Sequence, residues 1–297
     1  MSVTPIQKST FFPGQVVTEI FDMVAGHSAL AKVSAAKPMP FCGSDVMTFT
    51  SADEAAIVGE GAAKPEFDGT NGVVQIRPLK FVFGQRVNEE YIYAAEETRL
   101  NYLRAFRDAF AKKIARALDI AAFQGIDPNS KQAVSALSTN NFHGVVTNVV
   151  AYDASTVDAN VETAIGLVAA ADKECNGIIV TPSAAAALAA IKSSGVAQFP
   201  ELMWGGKPEY LKGLRYDSNS TLAYNNAPEM IAVGDFANAF RWGYAKEIPL
   251  EIIQYGDPDG NGDLKRYNQV YLRAEFYIGW GILDKDAFAL VQVGASV

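Results

Sequence analysis

Apolar residues recur every three or four positions between Asn88 and Gly125: Ile92, Ala95, Leu103, Phe106, Phe110, Ile114, Ala117 and Ala121. That spacing predicts one helix with a single apolar stripe. Asn88 is a candidate N-cap, because its side-chain oxygen can accept from the free N–H groups one turn on. Glu89, Glu90, Glu96 and Glu97 come early, and Arg104, Arg107, Lys112, Lys113 and Arg116 late, an order that suits the helix dipole. Gly125 should end the helix, and Pro128 bars its restart. At 1.5 Å per residue it would run roughly 55 Å, the length of a spine for other parts to lie against.

The period changes near the C-terminus. Val270, Leu272, Ala274, Phe276, Ile278 and Trp280 alternate with Tyr271, Arg273, Glu275, Tyr277 and Gly279, which predicts a strand. A second strand is expected at about 287–293, and both should pack on the spine helix. Strand patterns at 46–50, 57–58, 73–77 and 80–87 flank a glycine-rich stretch, Gly59 to Gly72, and suggest a long two-stranded hairpin. Such a hairpin is marginal in water without a support. Residues 1 to about 40 are broken by Pro5, Pro13, Pro38 and Pro40, with one short helical stretch at Val16–Val24. They read as an extended arm lying on something else, such as a neighbouring chain. Between about 130 and 262 the pattern is an α/β alternation. It has a helix at Val157–Asp172, a strand at Ile178–Val180 and a helix capped by Thr181 with Pro182 at its first position. Strand-like stretches follow at Leu214–Tyr216, Met230–Val233 and Leu250–Tyr255.

Composition narrows the class. The chain has 297 residues, 49% of them hydrophobic and 20% charged, which suits two subdomains with real cores. No run of about eighteen apolar residues predicts a membrane span, and Lys8 is not followed by the apolar stretch of a signal peptide. A net charge of −8 argues against a nucleic-acid grip over the whole surface. Cys42 and Cys175 are the only cysteines, so at most one disulfide is possible and no four-thiolate zinc site.

Catalytic patterns are thin. His27 and His143 are the only histidines, and neither accompanies a nucleophile motif such as G-x-S-x-G. No phosphate-binding glycine motif occurs, so no cofactor is expected. Asp257, Asp259, Asn261 and Gly262 resemble a calcium loop, but Asn268 stands where the closing bidentate Glu belongs and the flanks read as strands. A solvated turn is the preferred reading, and no metal is expected. Trp204, Trp242 and Trp280 read as packing residues.

The order of these parts resembles the major capsid protein of tailed phages with the Hong Kong 97-type fold. The residues that carry the resemblance are Gly59-Glu60-Gly61-Ala62-Ala63-Lys64-Pro65, Ile179-Val180-Thr181-Pro182-Ser183-Ala184, Phe199-Pro200-Glu201-Leu202, Gly234-Asp235-Phe236 with Ala239-Phe240-Arg241-Trp242-Gly243, and Leu272-Arg273-Ala274-Glu275 with Asp286-Ala287-Phe288. The resemblance implies an α+β fold in four parts. These are an N-terminal arm (1–44), an extended hairpin or E-loop (45–87), a peripheral domain of spine helix and antiparallel sheet (88–129 and 263–297), and an inserted α/β axial domain (130–262). It implies a structural protein of the virion, not an enzyme, made in the host bacterial cytoplasm. Copies would form hexamers and pentamers of an icosahedral head holding double-stranded DNA by loose contact. Portal and possible decoration proteins are further partners. Some members carry a long helical scaffold at the N-terminus; here Met1 leads within a few residues into the arm, so a separate scaffolding protein is expected.

In the type member a hairpin lysine forms an isopeptide bond with an asparagine of another subunit, with a glutamate as base. By motif position these are Lys64, Asn268 and Glu275. The plainer reading is a hairpin-tip lysine and a glutamate paired with a basic residue. Two rival readings are an encapsulin-type shell built on the same fold, and a soluble α/β ligand-binding protein or enzyme centred on 130–262.

Overall fold

The computed structural model describes residues 27–50, 55–66, 68–90, 96–246 and 250–294. The short helix expected at Val16–Val24 lies outside them. In chain order the larger elements are α1 (Ala29–Val33), β1 (Ser44–Thr50), β2 (Thr70–Ile76), β3 (Leu79–Asn88) and α2, the spine helix (Glu96–Gln124). There follow α3 (Phe142–Val145), β4 (Val149–Ala151), α4 (Val157–Ala170), β5 (Gly177–Val180) and α5 (Pro182–Ala190). Next come β6 (Lys192–Ser193), β7 (Val196–Ala197), β8 (Tyr210–Leu211), β9 (Leu214–Ser218) and β10 (Glu229–Gly234). The chain closes with β11 (Phe240–Lys246), β12 (Leu250–Ile253), β13 (Gln269–Ile282) and β14 (Phe288–Gln292).

Asn88 is the last residue of β3, opposite Gln269 of β13. Glu90 is helical, residues 91–95 lie outside the described ones, and the spine helix is described from Glu96 onward. The apolar alternation of β3 carries through Val87, whose side chain is buried, so the ladder holds the backbone extended to its end. The described helix is roughly 44 Å long at 1.5 Å per residue. Its last turn carries no basic residue, so the expected match to the dipole is absent there. Gly125, at φ +67°, ends it as expected. Phe106, Phe110 and Ile114 form the buried stripe. Further on the helix is enclosed on all sides, and Leu118, Asp119, Ile120, Ala122 and Phe123 are all buried.

Two sheets organise the rest. β13 is the axis of the first: β3 pairs with it along one side, and β11 and β12 along the other, all antiparallel. Its residues alternate in burial, and Val270, Leu272, Ala274, Phe276, Ile278 and Trp280 face the spine helix in one hydrophobic core. The second sheet runs β4-β14-β10-β5-β9-β8, and with α4 and α5 it encloses a second core. Thr181 caps α5 by accepting from Ala184 N at 3.3 Å, with Pro182 at the first turn, as expected.

Three sequence expectations are corrected by these pairings. β3 is not the return strand of the hairpin; the hairpin is the β1–β2 ribbon alone. Pro78 lies between β2 and β3, and with no N–H to donate it breaks the ladder and frees β3 for the other sheet. The tail does not stay in one sheet: β14 crosses into the second, between β4 and β10, while β11 and β12 from within 130–262 join β13. The boundaries at 130, 262 and 263 therefore cut across the sheets.

The third correction concerns the arm. Ala29, Leu30 and Val33 are buried in this chain's own core. What fixes them is Asp119, a fully buried carboxylate on the spine helix. It accepts from Ser28 Oγ at 2.5 Å, Ala29 N at 2.8 Å and Leu30 N at 3.3 Å, so it satisfies the free N–H groups of α1 from outside. Asn219 Nδ2 and Thr221 Oγ1 donate to it at 3.3 Å each. Lys32 reaches the buried Asp217 of β9 at 2.6 Å. A proline-rich pattern conceals this segment, because its anchor is polar and lies ninety-one residues away in sequence.

Burial pushes the Asp119 carboxyl from 3.8 up to about 6, against the pull of the Ser28 hydroxyl and the Ala29 and Leu30 N–H groups. In that window the folded state holds a proton that the unfolded state has lost, so Asp119 makes stability fall as pH rises. Relative to Asp119→Asn, the wild type should lose about 3 kcal/mol between about pH 4 and pH 7 in urea titrations. A pH-independent difference between the two proteins would contradict this.

Candidate functional site

No catalytic constellation assembles among the described residues. His27 is exposed. His143 pairs through Nδ1 with the buried Glu229, which also receives Gln124 Nε2 and Gln292 Nε2 at 3.0 Å each. That cluster ties the end of the spine helix to β10 and β14. Cys42 and Cys175 are free thiols, and burial raises the Cys175 thiol to about 11, which makes it a poor nucleophile. No group of three His, Cys, Asp or Glu among the described residues is placed to hold a metal, and no described helix is long and apolar enough to cross a membrane.

The loop at 257–263 is organised by an arginine. Arg86 of β3 donates to Asp259 at 2.5 and 2.8 Å, to Asp257 Oδ1 at 3.0 Å and to Gly262 O at 2.7 Å. The guanidinium sits where the acidic pattern suggests a cation, and it holds the Asp259 carboxyl far below its ordinary range. Spacing within the loop could not show this, because Arg86 comes from a distant strand.

The exposed surfaces are of a different kind. The β1–β2 ribbon has two faces. One carries Val46, Val74 and Ile76 and rests against Gly281 of β13. The other carries the cross-strand pair Met47–Val73 and, beside it, Phe49; these are 79%, 55% and 70% exposed. Beyond the ribbon Ile57 and Lys64 are exposed. Trp204 is a correction: it is not a packing residue but is 100% exposed, at φ +60°, on a loop from Pro200 to Gly205. A left-handed backbone costs a large side chain of order 1–2 kcal/mol, and a Cβ on Gly206 would collide with the Glu201 carbonyl that closes the loop. Trp242 and Trp280 are buried, donating through Nε1 to Ser34 O and Asn140 O.

Of the three cross-link candidates, Lys64 is exposed and Asn268 is exposed at φ +52° just before β13. Glu275 lies within β13, bonded to Lys80 Nζ at 2.6 Å and 3.6 Å from Arg273 Nε. Lys80 holds the Glu275 carboxyl below its ordinary range. Asn268 and Glu275 are seven residues apart along extended chain, roughly 23 Å at strand spacing, so they do not meet within one chain.

A model of the phage capsid family matches residues 10–293. This chain belongs to the phage capsid family. It is similar to a chain of Mycobacterium phage Ogopogo, 34% identical, with 90% of this chain and 92% of that chain covered and a TM-score of 0.77. A chain of Gordonia phage Cozz is 21% identical, over 100% of this chain and 92% of that one, at TM-score 0.72. A capsid chain of an empty GTA particle computed with C5 symmetry is 18% identical, over 91% and 90%, at TM-score 0.60. The last two share the fold. Comparison with curated protein sequences gave no match. The protein is thus a major capsid protein of the Hong Kong 97-type fold, a structural component of the virion whose copies associate into a phage head.

Arg86 thus anchors the 257–262 loop to β3. Arg86→Ala should speed hydrogen exchange at Leu264, whose N–H bonds Gly256 O at 2.9 Å, by about tenfold or more, because local opening sets that rate. Exchange at Ile178 in β5 should not move. Unchanged exchange at Leu264 would contradict the assignment of Arg86 as the anchor.

Proposed function

We propose that this capsid protein assembles as hexamers and pentamers into an icosahedral shell around double-stranded DNA, and that the β1–β2 ribbon is the element by which one copy grips the next. The observation that carries this reading is the exposed face of Met47, Phe49 and Val73 on a two-stranded ribbon. A ribbon of this size is marginal alone, and an apolar face in water is a cost that a second copy would remove. The C5 symmetry named for the related GTA particle supports fivefold vertices. Within 1–44 the part before Ser28 would serve as the arm; within 45–87 the β1–β2 ribbon would serve as the E-loop, with β3 joining the peripheral part; 88–129 with 263–297 and 130–262 would serve as peripheral and axial parts, with β11, β12 and β14 exchanged between them. A scaffolding protein, the portal and decoration proteins are the other partners, and synthesis is in the host cytoplasm. The chain's net charge of −8 supports loose contact with the DNA.

For the finer chemistry we propose a structural role for Glu275. A base that takes a lysine proton needs a raised pKa, and pairing with Lys80 moves Glu275 the other way. Lys64 and Asn268 then remain unjoined.

Two outcomes are expected. Met47→Ser with Phe49→Ser should leave the chain folded by circular dichroism yet give no closed shells by electron microscopy, where the wild type gives shells. Normal shells from the variant would remove the ribbon's role. Boiled wild-type particles on a denaturing gel should run as a single monomer band; a ladder of oligomers would restore the Lys64–Asn268 bond.

A further inference from the structure

Three Asn–Gly steps occur in the chain: Asn71–Gly72, Asn176–Gly177 and Asn261–Gly262. This dipeptide is chemically labile, because a glycine N–H carries no neighbouring side chain to shield its approach to the asparagine carboxamide. Whether the reaction proceeds depends on whether backbone and side chain can come together. The fold treats the three steps differently.

Asn176 is held at every polar group. Its Oδ1 accepts from Phe236 N at 2.9 Å, its Nδ2 donates to Asp235, its N–H donates to Gly234 O at 3.1 Å and its carbonyl accepts from Arg215 N at 3.0 Å. Gly177 is buried in β5 with strands on both sides. Asn71 is exposed, but it lies in the β1–β2 ladder opposite Phe49, with Gly72 opposite Thr48. Both steps are locked in extended backbone. Asn261 is exposed in an irregular loop, and its side chain bonds within that loop to Asp259, two residues back, with Nδ2 reaching Asp259 O at 3.4 Å. Gly262 stands at φ +98°, and a Cβ there would lie 3.0 Å from the Tyr267 ring. The tight loop that wraps Arg86 therefore requires glycine at 262, and the labile step comes with it. Gly262 N–H points at Asp257 Oδ2, 2.9 Å away, a carboxylate that polarises it.

We propose that Asn261–Gly262 is a self-modifying site, where the chain deamidates in the folded state with water as the only co-reactant. Gly262 N loses its proton and bonds to Asn261 Cγ. The Cγ–Nδ2 bond breaks, and the nitrogen leaves as ammonia with that proton, giving a cyclic imide. Water then opens either C–N bond of the ring, yielding aspartate or isoaspartate. No oxidation or reduction takes place. The product replaces a hydrogen-bond donor by a carboxylate in the same loop as Asp257 and Asp259, the two acids that Arg86 pairs with. Modification thus loosens the loop as particles age.

The test is peptide mapping by mass spectrometry of the full-length chain, incubated in mildly alkaline buffer. Aspartate and isoaspartate should accumulate at 261 at least about tenfold faster than at 71 or 176, since those steps need local opening first. In concentrated urea the three rates should converge. Equal rates in the folded protein, or position 71 or 176 reacting first, would overturn the proposal. Asn261→Asp should also raise hydrogen exchange at Leu264 several-fold, while Asn261→Gln should not and should abolish product at 261. Wild-type exchange in Asn261→Asp would overturn the loosening.

Discussion

A buried carboxylate holds this tile together. Asp119 sits inside the spine helix where three stretches of chain meet: the helix itself, the segment Ser28–Leu30, and the loop carrying Asn219 and Thr221. A bare charge there would be costly to bury, so the site exists only because hydrogen-bond donors converge on it from the other two. The arrangement is cooperative. Without the Ser28–Leu30 segment the carboxylate loses its shortest hydrogen bonds, and without the carboxylate the Ala29 and Leu30 N–H groups lose their acceptor, leaving only the Ser28 cap on Ala31 N. The apolar side chains of α1 then seal the first core from one end, and Lys32 extends the contact to β9 of the second sheet. One polar group on the spine thereby fixes the junction between the two sheets.

That hub also shows what can be read from a sequence like this one. Strand β13 was legible because its burial alternates from Gln269 to Ile278, and α5 because Thr181 and Pro182 announce its start. The spine helix was legible from Phe106 to Gly125, whereas Asn88 falls to β3, because long-range pairing with Gln269 of β13 decides there. Pairing of distant strands leaves no local mark, so the passage of β14 into the second sheet was hidden. Asp119 was hidden for a related reason: a lone Asp in a helix reads as a solvated charge until its partners are known. Arg86 shows the same limit in the acidic loop. The local pattern identified a place for a cation, and the cation proved to be a side chain from another strand.

The surfaces follow a different logic from the interior. Inside, nearly every polar group has a partner and the aromatic rings of Phe123, Phe142, Phe236, Phe240 and Phe288 interlock. Outside, the chain leaves Met47, Phe49 and Trp204 in water. For a monomer these would be liabilities. For a capsid protein they are unfinished contacts, and the ribbon's structure fits that role: one face braced on β13, the other presented outward. The sequence showed that a ribbon would need support; only the pairing of β1 with β2 alone revealed which side chains ask for it.

The most direct measurement is an electron cryo-microscopy reconstruction of assembled particles at side-chain resolution. The account predicts that Met47, Phe49 and Val73 are buried against a second copy of the chain in every capsomer, with Asp119 and α1 unchanged. A shell in which that face points into solvent, and copies meet elsewhere, would contradict it.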